Sequence, residues 1–338
     1  MDSETLVREF MKPGTYDEKV AGPVSLVQTH ISWVFLTGRF AYKIKKPVNF
    51  GFLDFSSLES RKRFSDLELE LNRRLCRDIY LGVLPVVAKD GGLRVGGEGE
   101  PVEYVLKMVQ LPQDRLMDKM LAAGKVGMKT VDDLASILSG FHFRAEASDE
   151  ISRYGSPESM MTNWSENFSQ TEPFVGRVIS AEDFSGVKKR VGQFMADKRD
   201  LLDKRVRERR VRRIHGDLHT GNIFVSGVRP QIFDCIEFNM RFSCMDVAAD
   251  VAFLSMDLEY RGRPDLSGFF TESYLRYSRD YEMLKLLNFY RCYYAWVRGK
   301  VAAFRLEQPL GGAEKAKAEA DGKRYFKLAV RYSEKLGS

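Results

Sequence analysis

No two of the four cysteines, Cys76, Cys235, Cys244 and Cys292, fall in a CxxC pair, so neither a thiolate metal centre nor a disulfide framework is indicated. Glycine, proline or charge interrupts every apolar run before it reaches the roughly 20 residues that cross a bilayer, so no membrane partner is expected. The chain opens with an acidic, charge-interrupted helical stretch rather than the basic-then-apolar pattern of a signal peptide, and a reducing cytoplasm is the expected compartment. Charge of one sign is not in excess either. The 53 basic and 47 acidic residues give +6, too mild to point to nucleic acid, which is bound by concentrated patches. Internal repeats and long low-complexity runs are also missing.

What is present suffices for two packed cores. A chain of 338 residues exceeds the usual single core, and 44% hydrophobic residues can fill two lobes. The stretch that organises them is His215-Gly216-Asp217-Leu218-His219-Thr220-Gly221-Asn222. Two apolar runs follow it, 223–225 and 231–233, separated by a connection containing Ser226-Gly227 and ended by Asp234. They predict a β-hairpin whose pairing brings Asn222 beside Asp234. A side-chain amide oxygen and a carboxylate are hard ligands of the kind Mg²⁺ takes. Asp217, five residues before the asparagine, is placed to accept or orient the proton of a substrate hydroxyl.

This spacing resembles the catalytic loop and metal aspartate of the protein-kinase-like superfamily, and the glycine at 216 resembles its aminoglycoside phosphotransferase and choline kinase branch. Trp33 to Pro47, Phe50 to Phe55, Asn72-Arg73-Arg74-Leu75 and Asp246 to Leu258 are similar to a bacterial group within that branch whose substrate is uncertain. The resemblance covers residues 20 to 305. It implies an α+β, bilobal protein-kinase-like fold: an N-lobe over 1–109, an antiparallel sheet plus a helix, and a mainly helical C-lobe over 110–338 that carries the catalytic hairpin. It further implies Asp217 as catalytic base, Asn222 and Asp234 as magnesium ligands, and ATP or another NTP as cofactor. The expected activity is phosphorylation of a hydroxyl on a small molecule that is aminoglycoside-, amino sugar- or amino alcohol-like. The alternative is a catalytically silent, nucleotide-binding pseudokinase.

The N-terminal half supplies candidates for nucleotide binding. Ile31 to Thr37 and Phe40 to Lys46, joined at Gly38-Arg39, predict a hairpin whose second strand projects Lys43 and Lys45 to one face. Ala41-Tyr42-Lys43 resembles the Ala-x-Lys of the kinase third strand, which favours Lys43 over Lys45 as the phosphate-binding lysine. A helix begins after Ser57, with Ser60 a rival cap. Its stripe of Phe64, Leu67, Leu71 and Leu75 places Glu68 beside the apolar face, as the candidate partner of the lysine. Strands at 83–87 and 102–109 lead to a hinge, where Met108, Gln110 and Leu111 are the candidates for the adenine edge. Between a first strand over Val24 to Gln28 and the hairpin, the chain has Gln28-Thr29-His30-Ile31-Ser32, with none of the glycines that protein kinases place over the phosphates.

The C-terminal half reads as helical. Helices are predicted over 131–147, 187–209, 268–306 and 315–334, and one of Asp246 and Asp250 is expected to brace the catalytic loop. Lys204 to Arg213 reads as a basic, solvated helix end. Tyr290, Tyr293, Tyr294 and Trp296 read as core. Only eleven residues separate Asp234 from Asp246. That leaves little room for a peptide-docking activation segment and favours a small acceptor. Glu237, Asp257 and Glu259 tilt the expected acceptor toward a cation.

Overall fold

A computed structural model describes residues 2–20, 22–51, 53–225 and 229–337. The chain divides into two compact units, Met1–Arg115 with Gln231–Asn239, and Leu116–Pro230 with Met240–Ser338.

The first unit is an antiparallel sheet with two helices. Helix α1 (Ser3–Phe10) precedes strands β1 (Ser25–Gln28), β2 (Ser32–Leu36) and β3 (Phe40–Lys45), and helix α2 (Leu58–Arg73) precedes β4 (Tyr80–Lys89), β5 (Gly92–Val95) and β6 (Pro101–Val109). The strand order is β1-β2-β3-β6-β4-β5. The predicted β2–β3 hairpin forms, with Val34 opposite Lys43, and its turn uses Gly38 at φ +95°, a left-handed conformation that favours glycine. Strand alternation then assigns the faces. Tyr42 and Ile44 of β3 join Phe35, Val86, Val105 and the α1 residues Leu6 and Phe10 in one apolar core, while Lys43 and Lys45 both reach Glu68 of α2.

Ser57 is the cap of α2, its hydroxyl accepting from the Ser60 N–H at 3.0 Å. The buried face of this helix is not the anticipated stripe: Arg61, Ser65, Glu68, Leu71 and Asn72 are buried, whereas Phe64 and Leu67 are only partly so. A polar face can be buried here because its groups are paired. The Arg61 guanidinium meets Glu103 of β6 at 2.8 Å, and Asn72 and Glu68 bond within the unit. Strand β5 was not anticipated, because its Gly-flanked four residues read as turn.

The second unit is mainly helical: α3 (Met117–Ala122), α4 (Met128–Arg144), α5 (Asp149–Arg153), α6 (Pro157–Thr171), α7 (Ala181–Asp197), α8 (Arg199–Arg207), α9 (Met240–Ser243), α10 (Ala248–Tyr260), α11 (Pro264–Ser278), α12 (Leu284–Phe304) and α13 (Gly312–Ser333). Strand β7 (Val211–Arg213) pairs antiparallel with β10 (Cys244–Asp246). The strands expected on either side of Ser226-Gly227 both form, as β8 (Ile223–Val225) and β9 (Pro230–Ile232). The turn itself, like Phe52 of the aromatic stretch, lies outside the described residues. Two predicted long helices are each a pair. The first breaks at Lys198, and the second at Arg279, whose φ of +58° cannot continue a helix. Tyr290, Tyr293, Tyr294 and Trp296 are all buried, and Trp164 packs its ring edge-on against Tyr293 and Trp296. Helix α10 is apolar on nearly every side and buried along most of its length, the pattern of a helix enclosed by others.

Candidate functional site

In the first unit, five residues from three distant parts of the sequence form one chain of charges, buried except at Asp234. The Lys43 ammonium lies 2.6 Å from Glu68 Oε1 and 3.0 Å from Asp234 Oδ1. Lys45 donates to Glu68 Oε2 at 2.8 Å and to Glu237. Burial pushes the Glu68 carboxyl upward, but the two ammoniums outweigh it and hold it down at about 2. Burial likewise disfavours the Lys43 cation, and Asp234, Glu68 and Glu237 together still keep it well above the ordinary lysine range. For Glu237 burial prevails over the attraction of Lys45, and its carboxyl lies above the ordinary range. Lys43 is the lysine that touches Asp234. Lys45 is the deeper of the two, with 1% of its side chain exposed against 15% for Lys43.

At the expected hinge, Met108 pairs with Ala41 and Tyr80. The Gln110 N–H donates to the Arg39 carbonyl at 3.0 Å, and its side-chain oxygen accepts from the Gly38 N–H at 2.8 Å. Gln110 is therefore committed to the β2–β3 turn. Leu111 packs against the cluster of Cys76, Ile79, Tyr80 and Leu106.

In the second unit the loop after β7 is fixed from behind by Asp250. Its carboxylate accepts from the His215 and Gly216 N–H groups, each at 2.9 Å, and meets His142 Nε2 at 3.0 Å. Gly216 has φ +85°, so glycine at this position reflects the backbone turn that presents both N–H groups to one carboxylate. Of the two brace candidates Asp250 does this, while Asp246 is tied to Arg205. Asp257 performs the same service further along, accepting from the N–H and hydroxyl of Thr220 at 2.9 and 2.6 Å.

Between these braces stands Asp217. The Asn222 Nδ2 donates to its carbonyl at 3.0 Å and to its Oδ2 at 3.2 Å, and His219 Nε2 lies 3.6 Å from the same oxygen. Burial pushes the Asp217 carboxyl up, but the charges of His219, Arg298 and His215 outweigh it and lower it below the ordinary range. The group is thus an ionised acceptor near neutral pH. His219 is held by a second contact, accepting the Gly221 N–H on Nδ1 at 3.0 Å. A Cβ on residue 221 would stand 2.8 Å from His219 Cε1, so glycine is required for this approach.

Among the described residues no group of three or more His, Cys, Asp and Glu gathers as a metal centre. The donors anticipated for Mg²⁺ remain chemically suitable. Asn222 commits its nitrogen to Asp217, which turns Oδ1 the other way, and the Asp234 side chain is 44% exposed. The three acids expected to attract a cationic acceptor are all engaged: Glu237 by Lys45, Asp257 by Thr220 and Arg261, and Glu259 by Arg291 and Arg331.

Sequence reading missed His219 and Asn72 as parts of these clusters, weighed Lys45 only as a rival to Lys43, and set Glu237 at the acceptor rather than against Lys45. The spacing of His219 and Gly221 within the loop was a signal for the first. The others depend on pairings over long separations that no local pattern encodes.

Residues 132–287 match the model of the phosphotransferase enzyme family, APH. Uncharacterised proteins of Mycobacterium tuberculosis and Mycobacterium bovis are each 32% identical to the chain over 309 residues, 91% of its length. The match spans 59% of the length of those relatives. Among solved structures, choline kinase from Cryptosporidium parvum Iowa II has the same fold, with a TM-score of 0.53 at 12% identity over 99% of this chain and 95% of that one. No helix among the described residues is long and apolar enough to cross a membrane. With its α+β fold and its sheet-and-helix first unit, the chain has the fold of choline kinase, and within its helical second unit residues 132–287 are similar to the phosphotransferase enzyme family.

Proposed function

We propose that the chain is an ATP- and Mg²⁺-dependent phosphotransferase that phosphorylates a hydroxyl of a small molecule. The observation that carries this reading is the Lys43 ammonium held between buried Glu68 and Asp234. A flexible ammonium gains a fixed direction from such a partner, and an oriented cation is what phosphate oxygens require.

In this reading Lys43 binds nucleotide phosphate and Glu68 sets its position. The main chain at Met108 and Leu111 takes the adenine edge, and Gln110 fixes that stretch to the β2–β3 turn. Asn222 and Asp234 hold Mg²⁺, which when bound neutralises charge on the phosphates. Asp217 accepts the proton of the acceptor hydroxyl. Its lowered pKa keeps it ionised, and the braces from Asp250 and Asp257 fix the loop without reorganisation. ATP is the nucleotide proposed, with another NTP as the alternative donor.

The acceptor is a small molecule rather than a peptide, which the short interval from Asp234 to Asp246 supports. Amino sugars, amino alcohols and aminoglycosides are the acceptors the family branch suggests. Glu237, Asp257 and Glu259, being paired internally, lend an amine no preference. A cytoplasmic location, where Mg-ATP is available, accords with this activity.

The test is a phosphoryl-transfer screen with purified protein, labelled Mg-ATP and pooled aminoglycosides, sugars, amino alcohols and nucleosides. Label should move to a member of one pool with wild type and not with Asp217→Asn. If calorimetry finds no nucleotide bound to wild type at any Mg²⁺ concentration, the reading is lost.

A further inference from the structure

The geometry points to Lys45 and Glu237 as positioning residues for Asp234, acting through the backbone that carries it; the inference rests on the reading of Asp234 as a metal ligand. Asp234 has φ +67°, in the left-handed region. For a residue other than glycine this conformation costs about 1–3 kcal/mol and persists only where surrounding contacts over-determine it.

Three contacts do so, all from the sheet and helix of the first unit. The Asp234 N–H donates to the Tyr80 hydroxyl at 3.2 Å. The next residue, Cys235, donates its N–H to Asn72 Oδ1 at 2.9 Å. Three residues beyond Asp234, Glu237 closes on Lys45 of β3. Tyr80, Asn72, Lys45 and Glu237 are all buried. The first two contacts grip the peptide planes immediately before and after the Asp234 Cα, and the ion pair anchors the chain three residues on.

Stability alone does not account for this pair. Exchanging a buried ion pair for packed apolar side chains is often neutral or stabilising, so such a pair contributes chiefly orientation. Here it orients two things. Lys45 occupies Glu68 Oε2 while Lys43 takes Oε1, so one glutamate sets both lysines. Through Glu237 the same ammonium fixes the segment from which Asp234 projects. Two lysines against three carboxylates leave the group of five with one net negative charge, and Asp234 is its most exposed member, suited to a cation.

The test uses the intact chain and the double variant Lys45→Met/Glu237→Leu, which removes both charges of the pair and leaves Glu68 its bond to Lys43. Binding of ADP is measured by calorimetry in EDTA and across a Mg²⁺ titration. Partners of metal ligands typically change metal affinity by about 10–100-fold, so the midpoint of the Mg²⁺ dependence should rise by at least about tenfold. ADP affinity in EDTA should stay within about twofold of wild type, since Lys43, the lysine proposed to hold the phosphates, keeps its own bond to Glu68 Oε1. Lys45→Arg with Glu237 intact should recover most of the wild-type midpoint. An unchanged midpoint in the double variant overturns the proposal and leaves the phosphotransferase reading standing. Wild type that binds no ADP at any Mg²⁺ level overturns both. Should the double variant fail to fold, Glu237→Leu, which removes the contact and leaves Lys45 paired with Glu68 Oε2, replaces it, and an unshifted Mg²⁺ midpoint there is equally decisive against the proposal.

Discussion

Replacing Asp250 by asparagine removes one oxygen from a fully buried carboxylate to which three donors converge. The His215 N–H and His142 Nε2 meet Oδ2 at 2.9 and 3.0 Å, and the Gly216 N–H meets Oδ1 at 2.9 Å. The amide keeps one acceptor. Its NH₂ group must then face a main-chain N–H, donor against donor. The loss comprises one charge-assisted hydrogen bond, about 1.5–3 kcal/mol, and one buried donor left without a partner, about 1–3 kcal/mol, together about 3–5 kcal/mol.

The pH dependence has a definite sign. Burial alone would raise Asp250, but the hydrogen bond and charge of His142 and the bond from His215 lower it below the ordinary value. A carboxylate depressed in the folded state contributes stability that is present above its unfolded pKa, about 3.9, and is lost as pH falls through the folded value. The gap between wild type and Asp250→Asn should therefore be constant from about pH 5 to 8 and narrow below about pH 4. Urea unfolding followed by far-UV circular dichroism across this range measures it. A gap under about 1 kcal/mol at pH 7, or one that does not narrow in acid, would refute the account of Asp250 as the brace of the loop.

Three further outcomes are expected. Asp217→Asn should reduce phosphoryl transfer by about 10²–10⁴-fold with nucleotide binding by calorimetry unchanged, whereas Asp234→Asn should weaken Mg-dependent nucleotide binding; equal effects of both on binding would reject the division of roles. Gly221→Ala should displace His219, since the added Cβ would stand 2.8 Å from its ring, and lower turnover without a matching loss in nucleotide affinity, which rate and binding measurements on the same variant distinguish. Glu68→Gln should remove stability that in wild type is full above the unfolded glutamate pKa, about 4.3, and disappears as pH falls toward about 2, so that the two proteins converge in urea melts at the acid end.

Short-range patterns in the chain are enough to read which local chemistries it carries. The His215–Asn222 spacing, the hairpin before Pro47 and the Ser57 cap are short-range patterns whose meaning depends on backbone geometry within a few residues, and each of these elements forms. Lys43 and Lys45 on one strand face follow from a period of 2, whereas Glu68 as their partner is what the resemblance implies. Tertiary structure decided what those groups touch. It buried a charged face of α2 that sequence periodicity assigns to solvent, because Glu103, Lys43 and Lys45 arrive there from other strands to pair it. It chose Asp250 over Asp246, two residues with the same local signature, because Arg205 and Asp280 close a separate network around Asp246. It also withdrew Glu237, Asp257 and Glu259 from the acceptor by supplying each with a partner. Burying a charge is costly unless another charge meets it, and which charges meet is fixed by packing across tens to hundreds of residues of chain, a distance over which no local pattern extends.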